Sequence, residues 1–330
     1  MVESDWLILL VPAACGLDRL VGDPQPWLHP VQVMGWAIGA LRGPAEAWAA
    51  DAPRRLRLTG LGLTLLVVGG SALAGWAIER LALRFPPLGL PLLLLGLASA
   101  LAGRSLEQAV RGVLDALPDL PKARSRLAWI VGRNVAGLPE SEILRAAAET
   151  AAENAVDGLF APLFWMLVGV ALWCHGFTGP GPLCLAWGFK AASTLDSMLG
   201  YRQGRLRWLG TAGARLDDLL TWLPCRLVAL TLPLAAGRPL ATAGLVRAAL
   251  QEGRPDPSPN AGVSQAAYAH AAGVRLGGAN RYGGGVISKP VLAMNFASPD
   301  RRGVERILTL TNRLEVLWLV VTAAGGWLFQ

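Results

Sequence analysis

Residues 58–78 read LTGLGLTLLVVGGSALAGWAI, and residues 85–103 read FPPLGLPLLLLGLASALAG. Neither stretch contains an ionisable side chain, and their lengths are 21 and 19 residues. A helix of about 20 apolar residues crosses the roughly 30 Å hydrocarbon core of a bilayer. The two stretches therefore predict two membrane-spanning helices joined by a short connection.

The composition of the whole chain is also typical of a membrane protein. Of its 330 residues, 53% are hydrophobic and 16% are charged, and the mean hydropathy is +0.42. Soluble domains have about one quarter charged residues. Residues 158–189 contain no Asp, Glu, Lys or Arg and are interrupted by Thr178-Gly-Pro-Gly-Pro182, so they predict two helices joined by a tight turn.

The predicted fold is all-α, a polytopic integral membrane helical bundle with cytoplasmic amphipathic helices and a Gly-rich loop, forming one domain over residues 1–330. Its apolar segments are residues 6–17, 58–78, 85–103, 158–189 as a hairpin, 219–237 and 316–330. The first of these follows Glu3 and Asp5 rather than basic residues, so we expect it to be retained and not removed as a signal peptide.

The basic residues predict the orientation of the bundle. With the hairpin, four polar regions fall on one side of the membrane and hold 27 of the 30 Lys and Arg residues: 18–57, 104–157, 190–218 and 238–313. Cytoplasmic loops of membrane proteins are enriched in Lys and Arg, so we expect these regions in the cytoplasm and the N-terminus outside. Because acids are interleaved with the bases, the net charge of +7 does not indicate nucleic-acid binding.

Three carboxylates precede a long uncharged stretch in residues 149–165. Glu149, Glu153 and Asp157 are four residues apart, and at about 100° per residue they stay within roughly 80° of one helical face. Like charges stacked in this way repel unless a cation lies between them. The spacing therefore predicts a metal ion or a bound basic ligand at the edge of the membrane.

Two further groups of charges lie beside apolar segments. Arg124, Arg126 and Arg133 surround residues 127–131, and this arrangement is typical either of an anion site or of contact with lipid headgroups. Charges near a membrane are costly without partners. The second group comprises Lys190, Asp196, Arg215, Asp217 and Asp218. We expect these side chains to contact another element or a ligand, and the alternative is that they only mark helix termini.

A glycine-rich stretch follows near residue 280. It reads Arg275-Leu-Gly277-Gly278-Ala-Asn280-Arg281-Tyr282-Gly283-Gly-Gly285, with Lys289-Pro290 after it. Glycines allow backbone N–H groups to approach an anion, and Arg275, Arg281 and Lys289 supply positive charge. The stretch predicts a phosphate-binding loop, with a simple flexible turn as the alternative. No GxxxxGK[ST] motif occurs, so a nucleotide would bind outside a P-loop fold.

Taken together, these segments resemble the CobD/CbiB family, the adenosylcobinamide-phosphate synthases of cobalamin biosynthesis. Seven motifs occur in the family's order: Asp18-Arg-Leu-Val-Gly22-Asp23-Pro24 with His29-Pro30-Val31; Ile130-Val-Gly132-Arg133; Glu149 to Trp165; Thr194-Leu-Asp196-Ser-Met; Ala214-Arg215-Leu-Asp217-Asp218; Ser258-Pro-Asn260-Ala-Gly262; and Arg275 to Tyr282. The chain departs from the family pattern at Asn134, Thr221 and Asp256, where Asp, Asn and His are usual.

The resemblance implies an inner-membrane enzyme that joins the corrinoid adenosylcobyric acid to aminopropanol or its phosphate ester, with ATP and Mg²⁺. It implies metal binding by Glu149, Glu153, Asp157, Asp196, Asp217 and Asp218. It implies phosphate or substrate binding by Arg133, Asn154, Lys190, Arg215, Asn260, Arg275, Asn280, Arg281 and Lys289. It implies proton transfer by Asp18, Asp23 or Glu153, with His29 as an alternative. Trp129 and Trp165 are candidates to contact the rim of the corrin.

Two other functions are compatible with these residues. A membrane prenyl- or alcohol-phosphate transferase would act on a lipid without ATP, and a corrinoid transporter or scaffold would bind without forming an amide. We expect small-molecule substrates and membrane lipid as partners, with the late-pathway cobalamin enzymes as candidate protein partners.

Overall fold

The computed structural model describes residues 5–23, 28–282 and 285–328. Within these ranges the chain is almost entirely helical, which confirms the predicted all-α class. The α-helices are α1 (Asp5–Val21), α2 (Pro30–Ala49), α3 (Pro53–Arg84), α4 (Pro86–Ala98), α5 (Gly103–Asp115), α6 (Leu120–Ala128), α7 (Glu140–Ala155), α8 (Ala161–Cys174), α9 (Pro182–Leu199), α10 (Leu206–Leu209), α11 (Thr211–Ala235), α12 (Thr242–Gly253), α13 (Ala261–Ala272) and α14 (Arg301–Leu328). A π-helical segment, Val156–Phe160, joins α7 to α8, and a short 3-10 helix covers Pro239–Ala241.

Five helical stretches of the described residues are long and apolar enough to cross a membrane. They are Pro53–Arg84, Pro86–Asp115, Glu140–Cys174, Thr211–Ala235 and Arg301–Ala324. Each overlaps a predicted apolar segment and extends beyond it, because the helix continues where the side chains change from apolar to polar. The chain is thus a multi-pass membrane protein. α1 and α9, which cover predicted apolar sequence, are too short or too polar to belong to this set.

By its contacts the chain divides into two compact units. The first unit contains Met1–Ala102, Ala161–Thr221 and Thr322–Gln330, and the second contains Gly103–Phe160 and Trp222–Val321. Each unit is therefore assembled from separate pieces of the chain, and the sequence alone has no linker that marks the division.

In the first unit, α3 and α9 run side by side in opposite directions. The carboxylate of Glu79, near the end of α3, accepts three hydrogen bonds of 2.7–2.9 Å from backbone N–H groups at residues 181–184, where α9 starts. Near the beginning of α3, Gly60 lies against the backbone of Leu209, just after α9: a Cβ on Gly60 would lie 2.0 Å from the Leu209 carbonyl oxygen. α8, the turn and α9 thus form the helical hairpin that residues 158–189 predict.

In the second unit, the centre of α7 is made of small, fully buried residues. Ala146, Ala147, Ala148, Ala151 and Ala152 have at most 1% of their surface exposed. Small side chains let neighbouring backbones approach closely. α13 uses this approach, because the hydroxyl of Ser264 donates a hydrogen bond to the carbonyl of Ala152.

The predicted Gly-rich loop is an antiparallel hairpin of two strands, β1 (Leu276–Tyr282) and β2 (Gly285–Leu292). Glycine is depleted in strands, so the sequence favoured a loop. Gly277 explains the exception: its φ is +83°, it lies at a register irregularity, and a Cβ there would lie 1.8 Å from the Pro290 carbonyl oxygen. Gly283 and Gly284 lie outside the described residues.

Candidate functional site

Several of the predicted site residues whose side chains the structure describes fall into two clusters, one inside each unit. In the second unit, the centre of the cluster is Glu149 on α7. Its Oε2 accepts a hydrogen bond from Arg133 Nη2 at 2.8 Å, and its Oε1 accepts one from Arg145 Nη1 at 2.7 Å and one from the Gly277 N–H at 2.9 Å. The side chains of Glu149 and the two arginines are only 7–9% exposed. Both oxygens of Glu149 are therefore occupied inside the protein.

Arg145 connects α7 to the β-hairpin. Its guanidinium donates hydrogen bonds to the carbonyls of Gly277 at 2.9 Å and Ala279 at 3.0 Å, and to Asn280 Oδ1 at 3.0 Å. It also pairs with Glu142, one turn earlier on α7. Arg133 donates to the same Asn280 oxygen. The arginines thus fix the hairpin against α7.

These contacts show which cations lie beside Glu149, the first of the three carboxylates. The sequence predicts a metal ion or basic ligand between the carboxylates, but the cations beside Glu149 are Arg133 and Arg145 of the chain itself. The Gly277 N–H, predicted to contact a phosphate, is taken by Glu149. Arg145 is absent from the predicted site residues. The signal for it was present, because Arg145 and Glu149 are four residues apart on one helix and such pairs interact.

A cavity of about 570 Å³ opens beside this cluster. Its lining includes Arg133, Arg145, Arg275 and Asn280, together with residues 136–139. Arg133 and Arg145 are held by Glu149, whereas Arg275 is exposed and donates a hydrogen bond to Ser298 Oγ at 3.0 Å. The structure therefore brings three of the predicted phosphate-binding residues, Arg133, Arg275 and Asn280, to one polar cavity. The side chain of Arg281 lies outside the described residues.

Glu153 lies one turn after Glu149 and has a different environment. Its Oε2 accepts a hydrogen bond from the amide nitrogen of Gln265 on α13 at 2.7 Å. Lys289 lies near enough to attract the Glu153 carboxylate, and Asp256 near enough to repel it. Lys289 itself pairs with Asp256 at 3.2 Å. Sequence reasoning missed Gln265, because a single Gln in an Ala-rich helix is not a motif.

The remaining predicted residues of the second unit have separate places. Asp157 lies in the π-helical segment, where the change from 3.6 residues per turn removes it from the predicted stripe, and Asn154 is exposed. Asn260 is 4% exposed, and its side-chain oxygen accepts a hydrogen bond from Arg226 on α11. The side chain predicted to bind phosphate at position 260 therefore holds the turn before α13.

The second cluster lies in the first unit, at Asp217 on α11. Asp196 and Asp218 are near enough to repel the Asp217 carboxylate, and Lys190 on α9 is near enough to attract it. Asp217 Oδ1 and the hydroxyl of Thr221 are buried, and neither has a hydrogen-bond partner among the described residues.

Three other predicted residues of the first unit have separate places. Asp23 pairs with His29 at 3.1 Å, and both line a cavity of about 410 Å³ together with Lys190. Asp18 is buried in α1, with 2% of its surface exposed. Arg215 is exposed on α11.

The predicted metal ligands do not form a carboxylate cage. In the described ranges, no group of three or more His, Cys, Asp and Glu side chains is arranged to hold a metal ion. Mg²⁺ commonly binds through one or two carboxylates and keeps several waters or phosphate oxygens, so smaller oxygen sets remain suitable. Asp217 and Thr221 have that composition, whereas Glu149 is saturated by arginine.

The two predicted aromatic contacts differ in exposure. Trp129 is 88% exposed and can cover a flat apolar ligand. Trp165 is partly buried, and its indole N–H donates to the Leu220 carbonyl at 3.2 Å. Of the two, only Trp129 presents its ring to the surroundings.

Comparison with known proteins gives one consistent result. The family model described as CobD/Cbib protein matches residues 11–311. A protein of Geobacter metallireducens named cobalamin biosynthesis protein CobD is 43% identical over 331 residues, which is 97% of each chain. The Synechocystis protein of the same name is 43% identical over 86% of this chain and 82% of its own, and the Salmonella typhimurium cobalamin biosynthesis protein CbiB is 35% identical over 94% and 95%. No solved structure matches the chain.

Proposed function

Because this chain belongs to the CobD/CbiB family, we propose that it is the adenosylcobinamide-phosphate synthase of cobalamin biosynthesis. The observation that carries the proposal is the 43% identity to a protein named for cobalamin biosynthesis over 97% of both chains. The enzyme joins a carboxylate of adenosylcobyric acid to the amine of aminopropanol or its phosphate ester. The product is adenosylcobinamide or its phosphate, and the new bond is an amide.

The chemistry needs an activated carboxylate, because a free carboxylate does not acylate an amine. ATP is the co-substrate that supplies activation, by transferring its terminal phosphoryl group to the carboxylate oxygen with release of ADP. The amine nitrogen then forms the C–N bond, and phosphate leaves with the C–O bonding electrons. Mg²⁺, when bound, shields the phosphate charge that would otherwise repel the incoming carboxylate.

In this proposal, the cavity beside Arg275 receives an anionic group of a substrate. Glu149 pairs with both Arg133 and Arg145, and Glu142 pairs with Arg145, so the field of these arginines is weak but their positions are fixed. Arg275 donates to a neutral hydroxyl, and its charge is therefore available to a phosphate oxygen. Fork-shaped guanidinium donors suit phosphate geometry. The cavity fits the phosphate of an aminoalcohol ester or of ATP.

Glu153 is the carboxylate we assign to the amine. Its carboxylate accepts a hydrogen bond from the neutral amide of Gln265, and Lys289 is near enough to attract it. An ammonium group must lose a proton before its nitrogen can attack. Glu153 would accept that proton, and Lys289 would keep Asp256 from competing through their ion pair.

We also propose a location in the cell for this enzyme. The excess of Lys and Arg in the four polar regions supports an inner-membrane protein whose active face lies in the cytoplasm, where ATP is present. The corrin ring is large and amphipathic, and the exposed Trp129 is suited to its rim. Late-pathway cobalamin enzymes are the protein partners that this position would serve.

An amide-forming assay on membranes containing the protein tests the proposal. Adenosylcobyric acid, aminopropanol phosphate, ATP and Mg²⁺ are supplied together and then omitted one at a time. We expect product only with all four, and a loss of at least about 100-fold in rate for Glu153→Gln, as removal of a general base commonly gives. Glu140→Gln, on the exposed start of the same helix, should act as the wild type.

The other outcomes separate the rival functions. Corrinoid binding without product would contradict the synthase and favour a transporter or scaffold. Phosphate transfer to a lipid alcohol without ATP would favour a membrane transferase. Product formation unaffected by Glu153→Gln would leave the synthase in place but remove Glu153 from the proton transfer.

A further inference from the structure

The end of α9 and the beginning of α11 approach each other closely in the first unit. A Cβ on Gly210 would lie 1.9 Å from the Leu199 carbonyl oxygen, and a Cβ on Gly213 would lie 2.9 Å from Leu195 Cβ. Only residues without side chains allow this approach. It brings the acids of α11 next to the charged residues of α9.

Acids predominate where the two helices meet. Asp196 and Asp218 are near enough to repel the Asp217 carboxylate, and Lys190 is near enough to attract it. Asp217 Oδ1 is buried and lacks a hydrogen-bond partner among the described residues. A buried carboxylate oxygen without a donor is costly, so the site favours a cation.

The hydroxyl of Thr221 provides a second observation that is independent of the carboxylates. Thr221 is 1% exposed, and within the described part of the chain its Oγ1 has no partner. Threonines in helices ordinarily donate to the carbonyl four residues earlier. Thr211 and Thr231 on the same helix do so, to Arg207 at 3.1 Å and to Leu227 at 2.6 Å.

The Thr221 hydroxyl therefore does not donate the hydrogen bond that is open to it, the one to the carbonyl of residue 217. Thr221 lies one turn after Asp217 on α11, and side chains four residues apart share a helix face. A carboxylate oxygen and a hydroxyl oxygen, both buried and both without partners among the described residues, thus lie on the same face of α11.

We propose that Asp217 and Thr221 are the protein ligands of a divalent cation with hard character, Mg²⁺, bound next to Asp196 and Asp218. Two protein oxygens suit Mg²⁺, which fills its other positions with water or phosphate oxygens, whereas Ca²⁺ takes six to eight oxygens. The inference deepens the proposed function by assigning its metal requirement to these two residues. It moves that role away from Glu149.

The test is direct binding of Mn²⁺, a spectroscopic substitute for Mg²⁺, to the purified full-length protein in detergent without ATP or corrinoid. Free Mn²⁺ is measured by electron paramagnetic resonance during a titration to millimolar concentration. We expect Asp217→Asn and Thr221→Val each to raise the Kd of the wild type by about 10- to 100-fold, as the loss of groups that hold a metal does.

Two variants separate ligation from folding. Thr221→Ser keeps the hydroxyl and should bind Mn²⁺ as the wild type does. Thr211→Val removes a hydroxyl from the same helix that is already bonded to the backbone, and it should also leave the Kd unchanged. An unchanged Kd in Thr221→Val, or absence of Mn²⁺ binding by the wild type, would overturn the site.

The same preparation separates this inference from the proposed function. If the wild type forms the amide with ATP but the two variants bind Mn²⁺ normally, the metal site is wrong and the synthase stands. If the wild type binds Mn²⁺ through Asp217 and Thr221 but forms no amide, the metal site stands and the synthase is wrong.

Discussion

Glu149 accepts hydrogen bonds from two guanidinium groups and one backbone amide, and these donors come from a loop, from its own helix and from the hairpin. Removing a charge from water costs several kcal/mol, and the partners repay this only when the geometry is complete. Here both carboxylate oxygens are used. The cluster consequently fixes the position of the hairpin more than it adds net stability.

This arrangement predicts a large difference between two neighbouring carboxylates. Glu149→Gln leaves two guanidinium groups only 8% and 9% exposed with no anion between them, and breaking a buried pair costs about 3–5 kcal/mol. Glu142→Gln also removes a partner of Arg145, but the side chain of Glu142 is 37% exposed and such pairs contribute about 0–1 kcal/mol. The free energy of unfolding in detergent, from denaturant titration, measures both.

Equal losses for the two variants would contradict this view of the cluster. They would mean that Arg145 is held equally by its exposed and buried partners, and that the burial of Glu149 has no energetic consequence. A small loss for Glu149→Gln alone would mean that water reaches the guanidinium groups.

The sequence predicts some of the contacts between individual side chains and not others. Arg145 and Glu149 are four residues apart, so their pairing follows from helix geometry. Gln265 and Glu153 are 112 residues apart, and no spacing rule connects them. The sequence also predicts that the acids of α7 need a cation, but burial decides which cation, and burial is a property of the tertiary structure.

Among the elements, α9 depends on a group supplied by another helix. Its first N–H groups lack partners inside the helix, as at every helix start. Glu79 of α3 supplies them: Oε2 accepts from Gly181 at 2.9 Å, and Oε1 accepts from Leu183 at 2.7 Å and Cys184 at 2.9 Å. Glu79 is fully buried, so water is not an alternative partner.

We predict that Glu79→Ala destabilises the protein by more than one hydrogen bond. Each buried N–H left without an acceptor costs about 1–3 kcal/mol, and three are affected. Glu79→Gln keeps one carbonyl oxygen and should lie between Ala and wild type. Glu46→Ala removes only a half-exposed pair with Arg42 within α2, and it should change stability by at most about 0.5 kcal/mol.

Thermal unfolding of the detergent-solubilised protein ranks these variants. The order wild type, Glu46→Ala, Glu79→Gln, Glu79→Ala in decreasing stability is expected. A stability of Glu79→Ala equal to that of Glu46→Ala would show that the start of α9 finds other acceptors, and the capping role would be lost.

The β-hairpin shows where element prediction fails. Glycines at 277 and 278 lower the strand propensity of the stretch, and the helical context favours a loop. The structure uses Gly277 as a bulge against Pro290, and this role depends on a residue thirteen positions away. Local propensity contains no information about such a partner. The spanning helices, in contrast, are predicted well because apolar length is a local property.

For the whole molecule, the number of membrane crossings depends on α9. α9 contains Lys190 and Asp196 and is not among the five apolar stretches. It nevertheless runs beside α3 from Glu79 to Gly60, which corresponds to about 29 Å at 1.5 Å per residue. This length matches the hydrocarbon thickness of about 30 Å. Arg205, after α9, pairs with Asp51, before α3, at 2.8 Å.

We therefore predict that α9 crosses the membrane and that its two ends lie on opposite sides. In a variant lacking the four native cysteines, Phe177→Cys in the turn before α9 should react with a membrane-impermeant maleimide on intact cells. Tyr201→Cys and Asp51→Cys should react only after the membrane is opened, because the excess of basic residues leads us to expect both in the cytoplasm. Phe177 and Tyr201 are 50% and 49% exposed, so access is comparable in the two positions. Labelling of positions 177 and 201 from the same side would mean that α9 does not cross, and labelling of both on intact cells would place the two ends of α9 away from the side on which we expect ATP.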